Sequence, residues 1–416
     1  MVNKMKRFIH SFISLAIGAG ICACNLSDKN TTKMKAHEKG TFGYDLKYLS
    51  EKDSLVVLCS DDNQSQVIVS PRYQAKVFTS TVAGTEGNSL GYLNYKALDS
   101  KEINEHMNGY GGENRFWLGP EGGRYSIYFR PGEKQIYENW HTPKPFDIEP
   151  WDVTCSGKKS VALKKKMEVA NYLGNKLLLN VDRKISLLSL PDIQTALGID
   201  IGDKIKTVAY ATENKITNLN DFAWTKETGT ICIWMLDMFN TAPNSLTIVP
   251  FNTGDEHTLG KIATTDYFGE IPADRLKIRE GLLFLKTDGK CRNKLGVNVM
   301  RTKAIAGNYD PDSKRLTITT FDTDPRGTYL NQEWNPEKDP LTGDALNAYN
   351  DGPLEDGSIM GPFLEVESAS PAAFLKPGEA LQHNHTVFHF VGEETDLTSI
   401  TETLFGISIK EIKDIF

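Results

Sequence analysis

What this 416-residue chain does without narrows its class. After the first two dozen residues, no run approaches the ~20 apolar residues that a membrane-spanning helix requires. Strands and helices do not alternate, which argues against a parallel α/β sheet, and no 20–50-residue repeat marks a propeller or solenoid. Cys59, Cys155, Cys232 and Cys291 show neither CxxC nor any regular spacing. A zinc framework is therefore unsupported, and no metal or cofactor is expected. Cys59 and Cys232 sit in apolar strand segments and read as buried thiols. The net charge is −7 and no basic stripe with interleaved aromatics occurs, so nucleic acid is not an expected partner. The glycine-rich block Gly109–Gly123 lacks the GxxxxGK[ST] spacing of a phosphate loop, so it reads as tight turns.

The N-terminus reads as a leader rather than as part of the fold. Lys4, Lys6 and Arg7 precede an apolar run from Phe8 to Ile21, and the run ends in Ile21-Cys22-Ala23-Cys24. A charged start, a short apolar stretch and a small residue before the cut make a secretory signal over residues 1–23. The ending resembles a bacterial lipobox, which implies lipidation of Cys24. Residues 24–40 are polar and contain lysine, as expected of a tether. The expected location is the cell envelope, periplasmic or on the outer-membrane surface, held by the lipid anchor.

With 34 glycines, 18 prolines and many β-branched runs, the rest is expected to be all-β. Strand signals recur from Leu55 onward: LVVLCS, QVIVS, AKVFTSTVA, TICIWMLDMF, SLTIVPF, GLLFLK and RLTITTFD. Two short helices are expected, one over Tyr44–Lys52 and a capped one over Ser189–Gly198 with Pro191 near its first position. Residues 331–361 read as a long loop holding Trp334 and NAYNDGP. No flexible linker follows Gly40, so residues 41–416 are expected to form a single domain.

The most informative stretch is Ile359–Gly392, two strands joined at Pro377-Gly378. Alternation puts Phe363, Glu365 and Glu367 on one strand face, and His383, His385, Val387 and His389 on one face of the next strand. Titratable groups in core-like strands need partners, a ligand or solvent. Earlier in the chain, Arg115 and Trp117 share a face of the strand Asn114–Leu118. A ring for stacking beside a guanidinium for hydroxyls suits a sugar, and it equally suits a cation–π pair.

Taken together, GGENRFWLGPEGG, SIYF, IWMLDMFN, DYFGEIPADRL, NAYNDGP and GPFLEVESASPAAFLKPGEALQHNHTVFHF resemble DUF6786, a family of exported Bacteroidetes-type proteins. That family is itself similar to the galactose mutarotase-like superfamily. The resemblance implies an antiparallel β-supersandwich with a sugar-sized groove on its concave side, and hence a saccharide ligand. Aldose 1-epimerases carry a catalytic glutamate on a late strand before a Pro-Gly turn, so Glu365 or Glu367 would match. Spacing does not choose between them. Epimerases also use a mid-chain histidine acid, and no matching motif is present: His257 is the only histidine between His141 and His383. An acid would then come from His383 or His385. Glu113, Arg115, Trp117, Trp334 and Asp351 would line the groove.

Two other readings stand beside this one. His383, His385 and His389 approximate a cupin metal strand, although the glutamate and downstream histidine of that motif are missing. The chain could also be a non-catalytic interaction lipoprotein. In the plainest case each glutamate forms an ion pair with Arg115, Arg292 or Lys294, and the histidines cap carbonyls or sit at the solvent edge.

Overall fold

The computed structural model describes residues 36–354 and 356–416. The leader over 1–23, Cys24 and the tether as far as residue 35 lie outside the described residues. Short runs of β-branched and aromatic residues, cut by glycine turns, pair into two antiparallel sheets. One has eight strands, in the order β1 (Val56–Cys59), β2 (Gln66–Ser70), β3 (Lys76–Thr81), β4 (Asn114–Gly119), β9 (Cys232–Asn240), β17 (Phe363–Ala369), β16 (Leu346–Asn350) and β13 (Asn293–Val297). The other has ten, in the order β11 (Leu276–Arg279), β12 (Leu282–Lys286), β10 (Leu246–Pro250), β14 (Ile305–Asp310), β15 (Arg315–Phe321), β18 (Ala380–Val391), β8 (Lys206–Asn218), β7 (Lys176–Leu187), β6 (Ser160–Ala170) and β5 (Asp152–Ser156).

The sheets pack face to face. Val67, Val77, Phe116, Met235 and Val366 of the first meet Leu179, Val181, Val208, Ile216 and Val387 of the second in one apolar layer. Each such side chain contributes about 1.5–3 kcal/mol when fully buried. Strand β7 shows why the layers form, since its residues alternate between buried and more exposed along most of its length. This is a β-supersandwich, as the sequence reading expected.

Six α-helices are described, all short. Helix α1 (Phe42–Ser50) is capped by the Thr41 hydroxyl and seats Phe42 and Leu49 against Ile68 and Phe78, on the outer side of β2 and β3. Helices α2 (Tyr95–Asp99) and α4 (Glu256–Leu259) punctuate loops. Helix α3 (Leu190–Leu197) begins with a Ser189–Asp192 capping box and ends at Gly198, whose φ of 64° favours glycine. With α5 (Glu394–Phe405) and α6 (Ile409–Lys413) it covers Ile248, Ile318, Phe388 and Phe390 on the outer side of the ten-stranded sheet. Two expectations are corrected. The segment 331–361 is not one loop, because β16 interrupts it and pairs with β17. The C-terminal helices, absent from the sequence reading, close one face of the sandwich.

Candidate functional site

Strand register assembles the site on the outer face of the eight-stranded sheet. Arg115 lies opposite Leu236 of β9, which lies opposite Glu367 of β17, and Trp117 lies opposite Trp234. On the other side, Asn347 and Tyr349 of β16 lie opposite Glu367 and Glu365, and Lys294 of β13 lies opposite Tyr349. Alternation then turns Arg115, Trp117, Trp234, Glu365, Glu367, Tyr349 and Lys294 away from the space between the two sheets.

Two ion pairs stand side by side there. Arg115 binds Glu365 directly, with its guanidinium 5.4 Å from the centre of the Trp117 ring. Lys294 Nζ lies 2.8 Å from Glu367 Oε2, and the Trp234 indole N–H donates to the same oxygen at 2.9 Å. Lys294 also lies over the Trp234 and Tyr267 rings, at 5.2 and 5.4 Å. The four charged side chains keep 7, 9, 10 and 1% exposure for Arg115, Glu365, Lys294 and Glu367. Burial pushes the Glu365 carboxyl up, while Arg115 pulls it back. Burial works against the Lys294 charge, yet Glu367 holds its pKa above the ordinary lysine value.

The row continues at both ends. Beyond Arg115, Lys76 Nζ donates to the Gly111 carbonyl at 2.8 Å, and burial reinforced by the Arg115 charge brings its pKa down to about 7. Beyond Glu365, the Tyr349 hydroxyl donates to Asp351 Oδ1 at 2.7 Å and takes a bond from Arg292 at 3.1 Å. Glu121 joins from the loop after β4: burial pushes it up to about 7, while Lys294 and the nearby Trp334 indole oppose this. A Cβ on Gly122 would fall on the Glu333 carbonyl and the Trp334 backbone, so the glycines of GPEGG let this loop lie against Trp334.

The structure thus joins Glu365, Glu367, Arg115, Trp117 and Asp351 on one face, with Trp334 reached through Glu121. It does not bring the expected histidines there. His383, His385 and His389 point between the sheets and are fully buried. Asp237 Oδ2 lies 2.8 Å from His385 Nε2, so that nitrogen donates. His385 Nδ1 is then the acceptor of the Ser368 hydroxyl proton at 2.8 Å, and the Ser368 oxygen accepts from His383 Nε2 at 2.8 Å. Among the described residues His383 Nδ1 is left without a partner. Ser368 alternates with Glu365 and Glu367, so the two glutamates and these imidazoles lie on opposite sides of β17. The serine–histidine–aspartate order invites comparison with a hydrolase triad, but the serine meets Nδ1 rather than Nε2 and no member is more than 1% exposed.

Glu113 is also displaced from the expected site. Its carboxylate accepts from the Ser80 hydroxyl and from the Ser80 N–H, at 2.7 and 2.6 Å, and meets His389 Nε2 at 3.0 Å. It enters from Gly111 and Gly112, at φ 81° and 123°, where strand alternation has not begun. The cupin reading fails on the same geometry. His389 pairs with Glu113 while His385 pairs with Asp237, and among the described residues no three His, Cys, Asp or Glu side chains are grouped to hold a metal. Lys294 entered the sequence reading only as an ion-pair partner; Trp234, Tyr267 and Glu121 did not enter it. Alternation in IWMLDMFN would have turned Trp234 away from Met235, but nothing local ties β9 to β4 and β17.

Fold and site together define a β-supersandwich with a charged, aromatic outer face. The chain belongs to DUF6786, a family of unknown function, over residues 40–416. No curated protein matches its sequence. Among solved structures it is similar to a putative aldose 1-epimerase from Escherichia coli K12, at 12% identity and a TM-score of 0.47, over 81% of this chain and 98% of that one. It is also similar to a galactose mutarotase-like protein from Lactobacillus casei, at 12% identity and 0.46, over 81% and 100% of the two chains.

Proposed function

We propose that the chain is a cell-envelope lipoprotein that binds a saccharide on the outer face of its eight-stranded sheet. The observation that carries the reading is the juxtaposition of two ion pairs with indole rings, Arg115–Glu365 beside Trp117 and Glu367–Lys294 beside Trp234. A sugar presents hydroxyls at its edge and C–H bonds on its faces. Carboxylates accept from the hydroxyls, guanidinium and ammonium donate to them, and the rings take the faces. Both bonds to Glu367 end on Oε2; Oε1 is the oxygen offered to a hydroxyl. Turnover of an aldose would need a base at Glu367 and an acid on the same side of the sheet. On that side the acid is Glu121, in place of His383 or His385.

A glycan-array screen of the full chain, followed by calorimetry on the hits and polarimetry on any reducing sugar, tests this. Binding that is lost in Glu365→Gln supports the reading. An array without a hit, or a hit insensitive to Glu365 and Lys294, ends it. The anchor is tested separately: Cys24→Ala should leave the protein unprocessed or out of the membrane fraction. Palmitate labelling equal to wild type would contradict it.

A further inference from the structure

The charged row does not end at the ion pairs; an aromatic run leads away from it toward solvent. Trp117 packs edge-on against Trp234 with centroids 5.7 Å apart, and Tyr128 lies 5.8 Å from Trp117. Trp140 lies 6.0 Å from Tyr128 with planes 4° apart. Trp334 and Tyr137 then flank Trp140 at 5.9 and 6.2 Å, with planes 25° and 23° from it. Parallel rings at such separations are offset rather than superposed, so they spread as tiles. The run is buried as far as Trp140, at 7% exposure, and opens at Tyr137, at 56%. Trp334 is half-buried, and its backbone lies against Gly122, next to Glu121, at the junction with the charged row.

Tyr137 also meets the His106 ring, with centroids 4.7 Å and planes 31° apart, yet the tyrosine stays 56% exposed, and core packing does not account for that exposure. A saccharide chain does, because each of its units offers an apolar face that needs a ring and polar edges that need amides or carboxylates. The chain's net charge of −7 disfavours a polyanion on the same surface. We propose that Tyr137 and Trp334, backed by the buried Trp140, form a shelf for the successive units of an oligosaccharide whose terminal unit lies over Glu365 and Glu367. This rests on the saccharide reading above and extends it from a single sugar to a chain.

The test is calorimetric titration of the full chain with homo-oligosaccharide ladders of one to five units, built from glucose, galactose, mannose, xylose or N-acetylglucosamine. In the ladder that binds best, affinity should rise about tenfold or more from one unit to four. Tyr137→Ala should remove that rise and leave single-unit affinity unchanged, and Trp334→Ala should remove the rise as well. Tyr137 is exposed enough that its loss should not disturb folding, which keeps the test valid if Trp334→Ala misfolds. Equal affinity for one unit and four, or a rise that survives Tyr137→Ala, overturns the shelf while the single-sugar reading stands. Failure of every ladder, single units included, overturns the reading beneath it.

Discussion

The two sides of β17 carry similar chemistry to different ends. On the inner side Asp237 accepts from Asn114, Thr319 and His385, and Glu113 accepts from Ser80 and His389, all of them buried. On the outer side Glu365 and Glu367 meet Arg115 and Lys294, with an oxygen of each left over among the described residues; Arg115, Glu365 and Lys294 keep 7, 9 and 10% exposure, and Glu367 only 1%. The inner groups hold one another and join the sheets. The outer groups are paired but not saturated, which is the condition for receiving a ligand. Clustered titratable residues in a strand therefore do not mark a site until their partners are counted.

Four changes sharpen the contrast, in order of expected effect. Asp237→Ala should destabilise most, by about 3–5 kcal/mol in urea unfolding, because it strands three buried donors, the His385 imidazole among them. A cost under about 1 kcal/mol would mean that the seam is dispensable. Glu367→Gln comes next, at about 2–3 kcal/mol, because it leaves Lys294 buried without its counter-charge. Adding Lys294→Met should return most of that stability without returning saccharide binding. Recovery of both would place the site elsewhere.

The third change is of pH. Burial, with His385 adding repulsion, drops the His383 pKa from 6.5 to about 3. Between these values the unfolded chain binds a proton that the folded chain refuses. Stability is thus complete above about pH 6.5 and is lost as pH falls toward 3. From pH 8 to pH 5 the loss attributable to His383 should be about 2 kcal/mol, and His383→Phe should flatten that part of the profile. An unchanged profile would mean that the imidazole is not held neutral. The smallest effect belongs to the solvated pair Lys184–Glu213, 49 and 47% exposed. Lys184→Ala should change stability by no more than about 0.5 kcal/mol.

Much of this was legible in the sequence where the interaction is local. Alternation alone put Glu365 with Glu367 and Arg115 with Trp117, and glycine and capping residues marked α3. What was not legible is set by distant pairing. Arg115 and Glu365 are 250 positions apart and meet because β9 lies between their strands, which no short-range pattern encodes. The same gap hid which way the histidines face: their common side was readable, but not that Ser368 would be waiting across the seam. Glu113 was expected in the groove, and its place between the sheets was not legible because it precedes the strand, beyond the glycines at positive φ. The C-terminal helices left local signals that went unread, Gly406 at a C-cap and the Ser408–Glu411 box.

The central claim is that the outer face of β4, β9 and β17 receives a saccharide. A crystal structure of the full chain with the best-binding sugar from the array tests it most directly. The account predicts a sugar ring over Trp117 or Trp234, with hydroxyls within about 3.2 Å of Glu365, Glu367 or Arg115. A ligand seated instead in the shallow depression beside Gln194 and Gly198 of α3, or on the exposed face of the ten-stranded sheet, would contradict it.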